Sequence, residues 1–323
     1  MYQRGLLSYK GFLIIYIGGK MKKLLIAMIL GTLLLSCSGL EKEDILEVDK
    51  MEIPYSMVQQ SIDLDDAMSL ELFLENGFDP NYISEDGETL LMNIVKNNSL
   101  KSLKVMISHG VNLEVETPIK KIENTTSYDA TKRAIDFVKT KKSLNMLIEA
   151  GADINYIDNL GTPLIIKFIK ERNNSYVEKL ILEKVDLDKS DREEWTPLMW
   201  ATARKNKDIV RLLIENKANV NIIDERQNSA IYYAYDEDII RMFLVESLNL
   251  DYKNRSGENI LGEVYLRSIS NSYYGAVEDI IKIGGDKNYS SYGDTPIGIA
   301  TENKDKKMIE LLSKLGVEED EMY

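Results

Sequence analysis

One short element recurs along this sequence and constrains its fold more than any other feature. Its clearest copy reads Gly151-Ala152-Asp153-Ile154-Asn155. The final position of the element falls at Asn81, Glu114, Asn155, Asp188, Asn221, Asp251 and Asn288. Successive copies are therefore separated by 33, 41, 33, 33, 30 and 37 residues. Such a period is typical of an array of helical repeats that bury a continuous core only by stacking on their neighbours.

The best-formed unit spans residues 195–221 and indicates two short helices joined by a turn. Thr196 is a good N-cap, and Pro197 follows at the first helical position, where its missing N–H costs nothing. Apolar residues then recur at helical spacing in the second helix, where Leu212 and Leu213 are predicted to be buried. Neither helix can bury its apolar face alone, so the unit requires neighbouring copies.

These features resemble the ankyrin repeat, in which Thr-Pro-Leu opens the first helix and Gly-Ala-Asp-Val-Asn follows the second. Thr-Pro-Leu stands at residues 196–198 and 162–164, with close variants at 295–297 and 89–91. The resemblance covers residues 54–317. It implies an all-α ankyrin-repeat solenoid of about eight helix-turn-helix units, without a single central core.

Some positions depart from the family pattern. The closing Gly is replaced by Lys184, Lys217 and Ser247. If these residues adopt the left-handed conformation, each costs about 1 kcal/mol relative to Gly. The longer intervals carry extra residues at Thr117–Lys132 and near Ile269–Tyr274, which are predicted to form loops on the surface of the solenoid.

The amino-terminal segment differs from the repeats. Basic residues at Met21-Lys22-Lys23 precede an apolar run of twelve residues from Leu24 to Leu35. A run of this length fits the core of a signal peptide better than an uncleaved membrane helix, which needs about 20 residues. Leu34-Leu35-Ser36-Cys37 resembles a bacterial lipobox, so we predict a lipoprotein signal peptide over residues 21–36.

Cys37 is the only cysteine, which excludes an intrachain disulfide and favours lipidation over a chance thiol. Residues 37–53 are interpreted as a lipidated tether, with an extra helix capping the first repeat as the alternative. Residues 1–20 are interpreted as a mis-assigned upstream extension. Codons for Ile17-Gly18-Gly19-Lys20-Met21 can contain a ribosome-binding sequence just before the ATG of Met21. Met21 is therefore the predicted first residue.

The charge of the chain restricts its partners. The formal net charge is −13 at pH 7. Such a surface repels phosphate backbones and anionic lipid headgroups, so we expect no nucleic acid partner and attachment to a membrane only through the lipid. Residues 318–323 are expected to form a solvated acidic tail.

The sequence lacks the residues that common catalytic sites need. The one histidine, His109, lies near the end of a predicted outer helix, where it favours the negative helix terminus. One His and a lipidated Cys cannot form a zinc site within one chain, and the phosphate-binding G-x-x-x-x-G-K-[ST] motif is absent. We therefore expect neither a metal nor a cofactor, and no enzymatic activity. A hydrolase would have to rely on carboxylates alone.

In the ankyrin family, the concave surface is built from the inner helices and the variable turns before them. This implies a partner-binding site formed by Arg192, Glu193, Trp195, Glu225 and Arg226. An exposed Trp195 would be a binding hot spot, and packing of its indole against the adjacent turn is the alternative. Trp200 is expected to lie in the core.

The features combine into one functional hypothesis. We expect a monomeric, non-catalytic protein-protein interaction scaffold, lipid-anchored at the bacterial cell envelope, either periplasmic or at the outer membrane and cell surface. The acidic turns would steer in a protein partner that carries a basic patch. The alternatives are a surface-exposed lipoprotein that engages host or neighbouring-cell proteins and a carboxylate-based hydrolase.

Overall fold

The computed structural model describes residues 6–9, 12–15 and 26–27 at the level of the backbone, and residues 53–119, 129–246 and 248–318 with their side chains. Cys37 and Ser247 lie outside the described residues. The chain divides into two compact units, Met1–Val58 and Gln59–Tyr323. The first contains a small antiparallel sheet in the order β1 (Leu6–Tyr9), β2 (Phe12–Ile15), β3 (Ile26–Ala27).

The described part of the chain from residue 53 onward is helical. Fourteen α-helices and two 3₁₀ helices form eight successive pairs, so the predicted solenoid of about eight helix-turn-helix units is confirmed. The first member of each pair is the inner helix and the second is the outer helix. The pairs are α1 (Tyr55–Asp63) and α2 (Ala67–Glu75); α3 (Leu90–Asn97) and α4 (Leu100–Ser108); the 3₁₀ helix Ala134–Phe137 and α5 (Lys141–Glu149); α6 (Leu164–Lys170) and α7 (Asn174–Leu182); α8 (Pro197–Ala203) and α9 (Lys207–Glu215); the 3₁₀ helix Ala230–Tyr233 and α10 (Glu237–Phe243); α11 (Ile260–Ser270) and α12 (Tyr274–Lys282); α13 (Pro296–Glu302) and α14 (Lys306–Lys314).

Threonine caps begin several inner helices as the sequence predicts. Thr196 is the N-cap of α8, and its hydroxyl accepts a hydrogen bond from the N–H of Met199 at 3.3 Å. Thr295 caps α13 in the same way through Gly298, at 3.0 Å. Such a bond satisfies one of the helix N–H groups that lack an intrahelical acceptor.

The equivalence of residues 162–164 with residues 196–198 is wrong by one position. Asp158 N–H bonds to the carbonyl of Thr162, just as Asp191 N–H bonds to the carbonyl of Trp195. Thr162 therefore occupies the turn position of Trp195, and Pro163 is the N-cap of α6 with no side-chain cap. The shift arises because Thr162 follows the turn residue Asp158 by four positions, whereas Thr196 follows the equivalent Asp191 by five.

The closing elements connect each unit to the next by hydrogen bonds. The side chain at the final position of the element accepts a bond from a backbone N–H of the following unit. Recorded examples are Asn81 to Asn112, Asn155 to Asp186, Asp188 to Asn219, Asn221 to Asn249 and Asn288 to Glu318. The recurrence of Asn or Asp at this position is explained by its side-chain oxygen, which provides an acceptor for a backbone N–H of the next unit.

Two lysines occupy the conformation that the family reserves for glycine. Lys184 and Lys217 close their outer helices with φ of +63° and +69°, so the condition for the cost of about 1 kcal/mol each is met. The third substituted position, Ser247, is outside the described residues. In the core, Leu213 is fully buried whereas Leu212 is only half-buried, so the prediction of burial is right for Leu213 and wrong for Leu212.

Candidate functional site

Four of the turns before inner helices are built around a buried acidic or amide side chain: Asp158, Asp191, Asp224 and Asn254. In the turn before α8, Asp191 Oδ1 accepts from the N–H of Trp195 at 3.1 Å. In the turn before the second 3₁₀ helix, Asp224 Oδ1 accepts from the N–H groups of Arg226 and Asn228, both at 2.9 Å. These bonds hold the turn in one conformation and orient the second carboxylate oxygen toward the inner helix of the same unit.

That second oxygen contacts the residue nine positions later in the chain. The contacts are Asp158 with Lys167 Nζ at 3.2 Å, Asp191 with Trp200 Nε1 at 2.7 Å, and Asp224 with the hydroxyl of Tyr233. Each of these partners is half-buried. The turns and the half-buried side chains of the inner helices together form one surface, which we call the inner face.

Four aromatic side chains form a continuous row on the inner face. Trp200 contacts Trp195 with ring centroids 4.8 Å apart, and Trp195 contacts Tyr233 at 4.4 Å. Tyr233 then meets Tyr232 edge-on at 5.5 Å. Trp200, Trp195, Tyr233 and Tyr232, the aromatic row, are all half-buried and therefore offer part of their area to a partner.

Trp195 is thus a packed residue as well as a surface residue. It lies between Trp200 of its own unit and Tyr233 of the next, so its ring packs on aromatic residues of two inner helices. The alternative from the sequence was packing against the adjacent turn. The expectation that Trp200 belongs to the core is wrong. Its indole N–H donates to Asp191, and one of its faces carries a lysine, so its ring lies at the border of core and surface.

Arg192 is exposed but serves the contact between two turns. Its guanidinium donates to the backbone carbonyl of Asn159 in the preceding turn. A Cβ added to Gly161 would lie 2.5 Å from Arg192 Cγ, so the side chain packs directly on the glycine backbone. These contacts tie Arg192 to the preceding turn.

The other three predicted site residues, Glu193, Glu225 and Arg226, are exposed at the tips of the turns. The carbonyl of Arg226 accepts from the N–H of Arg255 in the next turn at 3.2 Å. The positive charge of Arg226 also opposes the increase in the pKa of Tyr233. These tips are thus more exposed than the half-buried aromatic row.

Cationic side chains that the sequence analysis missed border the aromatic row. Lys170 Nζ lies 4.0 Å from the Trp200 ring centroid and 3.3 Å from Asp191 Oδ2. The Arg204 guanidinium carbon lies 5.4 Å from the Trp200 ring. At the other end, the Arg267 guanidinium carbon lies 5.6 Å from the ring of Tyr232 and 4.2 Å from that of Tyr235. These cation–π contacts leave the N–H donors of each guanidinium available for hydrogen bonds.

Burial and neighbouring carboxylates keep the tyrosines of the row neutral. Burial raises the pKa of Tyr233 well above its ordinary value, and the hydrogen bond to Asp224 adds to the increase. The pKa of Tyr232 is raised by burial and by the charge of Glu258. Both phenols therefore act as neutral hydrogen-bonding and stacking groups at physiological pH and are unsuited to act as bases.

A polar cluster next to the row is saturated by its own contacts. The hydroxyl of Tyr156 donates to Asp136 at 2.9 Å, and Lys167 Nζ lies 2.9 Å from Asp136 and 3.2 Å from Asp158. The ammonium of Lys167 is shared by the two carboxylates, and these contacts connect the unit that follows the Thr117–Lys132 insert to the next unit. Among residues 53–119, 129–246 and 248–318, no group of three His, Cys, Asp or Glu side chains could hold a metal ion.

His109 occupies the C-cap of α4, which confirms its predicted place at a helix end. None of the helices in the described ranges is long and apolar enough to cross a membrane.

The two predicted inserts differ in structure. The described ends of Thr117–Lys132 are joined by a hydrogen bond from the N–H of Thr117 to the carbonyl of Lys132 at 2.9 Å, and residues 120–128 between them lie outside the described residues. The prediction of a surface loop near Ile269–Tyr274 is wrong. The extra residues lengthen α11 to eleven residues, against seven in α8, and Ile269 is fully buried.

Comparison with known proteins supports the repeat assignment. Residues 132–224 and 164–261 match the family model described as ankyrin repeats (3 copies), so ankyrin repeats are confirmed in this part of the chain. The fold is similar to the ankyrin repeat domain of Bcl-3, with a TM-score of 0.53, 16% identity and coverage of 62% of this chain and 89% of that one. It is also similar to the human ASB11 ankyrin repeat domain, with a TM-score of 0.50, 15% identity and coverage of 71% and 98%.

Sequence relatives match only parts of the chain. A putative ankyrin repeat protein of Acanthamoeba polyphaga mimivirus is 26% identical over 145 residues, 42% of this chain and 89% of that protein. A probable serine/threonine-protein kinase of Dictyostelium discoideum is 22% identical over 158 residues, 45% of this chain and 19% of the kinase. Neurogenic locus notch homolog protein 1 of Xenopus laevis is 31% identical over 119 residues, 36% of this chain and 5% of that protein. The chain thus spans a small part of the kinase and of the notch homolog.

Proposed function

We propose that this ankyrin-repeat solenoid is a non-catalytic protein-binding scaffold whose binding centre is the aromatic row. The row itself carries the proposal. Four aromatic side chains contact one another in sequence and keep part of their area exposed on a face formed by turns and inner helices. Trp and Tyr are the residue types that most often dominate binding energy, because they bury a large area with little loss of conformational freedom.

The ankyrin architecture supports the same proposal. Ankyrin repeat proteins generally mediate protein–protein interactions, and solenoids present extended surfaces for this purpose. Each unit contributes one turn and one inner helix, so a partner that spans several units gathers small contacts around a central anchor. The carboxylates nearest the row are engaged in internal hydrogen bonds, which favours a binding role over general acid–base chemistry.

The test is capture of a partner with the purified chain as bait, followed by affinity measurement on the partner identified by mass spectrometry. Trp195→Ala should weaken binding at least about tenfold, which corresponds to about 1.4 kcal/mol. Tyr292→Ala is the matched control, because Tyr292 is an exposed aromatic residue outside the row. A partner that binds Trp195→Ala and Trp200→Ala as tightly as the parent chain would exclude the row as the binding centre.

We further infer that the scaffold is anchored by lipid at Cys37 in a bacterial cell envelope, on the periplasmic side or at the outer-membrane surface. Support comes from the sequence, in which basic residues and a twelve-residue apolar run precede Cys37. A lipid chain contributes about 0.8 kcal/mol per buried CH₂, so Cys37→Ala should move the protein from the membrane fraction to the soluble fraction. Retention of Cys37→Ala on membranes after a salt wash would contradict this anchor.

The two envelope locations are separated by protease accessibility. On intact cells, external protease should digest a surface-exposed scaffold and leave a periplasmic one untouched. Digestion after permeabilisation provides the control that the chain is cleavable.

A further inference from the structure

A small pocket, which we call the closing pocket, lies between the unit of the 3₁₀ helix Ala230–Tyr233 and the unit of α11. Its volume is about 130 Å³. Its apolar lining consists of Ile223, Ile231, Leu248, Tyr252, Ile260 and Leu261. An apolar cavity of about 150 Å³ holds one benzene molecule, so the closing pocket has room for one apolar group of about that size.

The closing pocket lies where one closing element departs from the others. In seven units, the residue after the left-handed closing position donates its N–H to the carbonyl five residues earlier. These donors are Phe78, Val111, Ala152, Val185, Ala218, Gly285 and Val317. Leu248 occupies the equivalent position, but its N–H bonds to the carbonyl of Glu246 at 2.9 Å. The side chain of Leu248 is only half-buried, whereas Val185 and Ala218 are buried at this position, so the altered closing element accompanies the open space.

The same closing element contains a free amide side chain. In six other units, the residue at the position of Asn249 accepts a hydrogen bond from the backbone N–H two residues later. Asn219, for example, accepts from Asn221 at 3.0 Å. The side chain of Asn249 makes no such bond within the described residues, and it is exposed where it lines the pocket. An amide of this kind can both donate to and accept from the backbone of a bound segment.

Ser229 supplies a second free polar group to the closing pocket. It is the N-cap of the 3₁₀ helix, yet it makes no side-chain cap bond, unlike Thr196 and Thr295. Only 8% of Ser229 is exposed, and its hydroxyl has no hydrogen-bond partner in the part of the chain that the structure describes. A group bound in the pocket would therefore offer this hydroxyl a partner that the fold does not provide.

We propose that the closing pocket binds one apolar side chain of a partner protein, of the size of Leu, Ile, Met or Phe, while Ser229 and Asn249 bond to the partner's backbone next to it. This inference rests on the proposed function and adds a second contact point to it, because the 3₁₀ helix that bears Ile231 also bears Tyr232 and Tyr233 of the aromatic row. An apolar space beside two free polar groups matches a side chain that is attached to a peptide backbone.

The experiment is selection of random twelve-residue peptides on the full chain, followed by affinity measurement of the enriched peptides by fluorescence anisotropy. We expect peptides with one Leu, Ile, Met or Phe whose replacement by Ala weakens binding at least about tenfold, because several buried CH₂ groups are lost. Asn249→Ala should weaken the same peptides about threefold to tenfold through lost hydrogen bonds. Gln60→Ala is the matched control, because it removes an exposed amide of α1 outside the pocket.

Two further variants separate binding from folding. Leu248→Ala enlarges the pocket, so it should bind the Leu peptides more weakly than the parent chain and bind their Leu→Trp forms more tightly than the parent chain. A general loss of structure would weaken both peptides. Ser229→Ala removes a hydroxyl that has no partner in the described fold, so it should weaken the peptides about threefold to tenfold without lowering the melting temperature.

Three outcomes would overturn the inference. Enriched peptides that need Trp195 but no apolar residue in the closing pocket would overturn it and leave the protein-binding proposal intact. A selection in which no peptide depends on Leu248, Ser229 or Asn249 would also overturn it, while the partner-capture experiment still decides the proposed function. Benzyl alcohol or isobutanol bound as tightly as the peptides, detected by NMR at the methyl groups of Ile231 and Leu248, would assign the pocket to a free small molecule.

Discussion

Asn155 Oδ1 accepts a hydrogen bond from the backbone N–H of Asp186, 2.8 Å away and one unit further along the solenoid. The same contact joins Asp188 to Asn219 at 2.8 Å. The recurring polar position that defines the period of the sequence is therefore also the position that connects each unit to its successor. Coupling between nearest neighbours determines the stability of such an array.

Asn155→Ala should remove this connection at one interface. The N–H of Asp186 would retain only water as a partner, so the expected loss in the free energy of unfolding is about 0.5–1.5 kcal/mol. Chemical denaturation measures the loss. Asp251→Ala is the matched control, because Asp251 occupies the equivalent position but makes no corresponding hydrogen bond in the described chain. An equal loss in both variants would argue against the hydrogen bond as the cause.

Leu213→Ala should weaken one unit and its neighbours. Leu213 is fully buried in α9, and a truncation of this kind costs about 2–5 kcal/mol. Leu212→Ala, at the adjacent half-buried position, should cost clearly less. Amide hydrogen exchange should show faster opening in α8 and α9 and in the neighbouring helices α7 and α10 before distant units change. A uniform increase along the whole solenoid would contradict a linear array of coupled units.

The sequence predicts the repeat and its caps but not the composition of the inner face. Thr196 and Thr295 cap their helices as expected because N-cap chemistry is local and depends on one side chain and one backbone N–H. The sequence pattern Thr-Pro-Leu does not reveal the shift at Pro163, because the same three residues occur in both units. The structure aligns the turn, in which Thr162 bears the carbonyl that closes the hydrogen bond.

The aromatic row and its arginines could not be predicted from the turn positions alone. Trp195 was recognised, but Tyr232 and Tyr233 were not, because their unit replaces the inner helix by a short 3₁₀ helix. A signal was present in the nine-residue spacing from Asp191 to Trp200 and from Asp224 to Tyr233. Similarly, the interval of 37 residues between Asp251 and Asn288 shows that the unit contains extra residues but not where they lie. In the structure they extend α11.

High pH should destabilise the fold through its buried tyrosines. Burial raises the pKa of Tyr233, with the hydrogen bond to Asp224 as a further cause, and burial and the charge of Asp286 raise the pKa of Tyr265. Because the folded-state pKa exceeds the unfolded value of about 10, the neutral phenols contribute stability that is fully present below pH 10. This contribution is lost as the pH rises through the folded-state values.

The measurement is a titration of phenolate absorbance in the folded chain and in denaturant. The buried tyrosines should ionise at higher pH in the folded chain, together with unfolding monitored by circular dichroism. Asp224→Asn keeps an acceptor for the turn, as Asn254 does in the next turn, and should lower the pH at which Tyr233 ionises. Identical titrations of all tyrosines in folded and unfolded chain would refute the assigned burial.

Trp195 should affect both stability and binding, because its ring packs between Trp200 and Tyr233 and remains partly exposed. Trp195→Ala should lower the free energy of unfolding by about 1–2 kcal/mol, which is less than for a fully buried aromatic residue. It should also weaken the affinity for a captured partner at least about tenfold.

Trp195→Phe retains the stacking and should restore most of the stability, with a smaller loss of affinity. Thermal melts and partner affinity measured on the same preparations separate the two effects. Full recovery of affinity in Trp195→Phe would show that the aromatic face suffices. A stability loss without any loss of affinity would mean that the indole only supports the neighbouring turns.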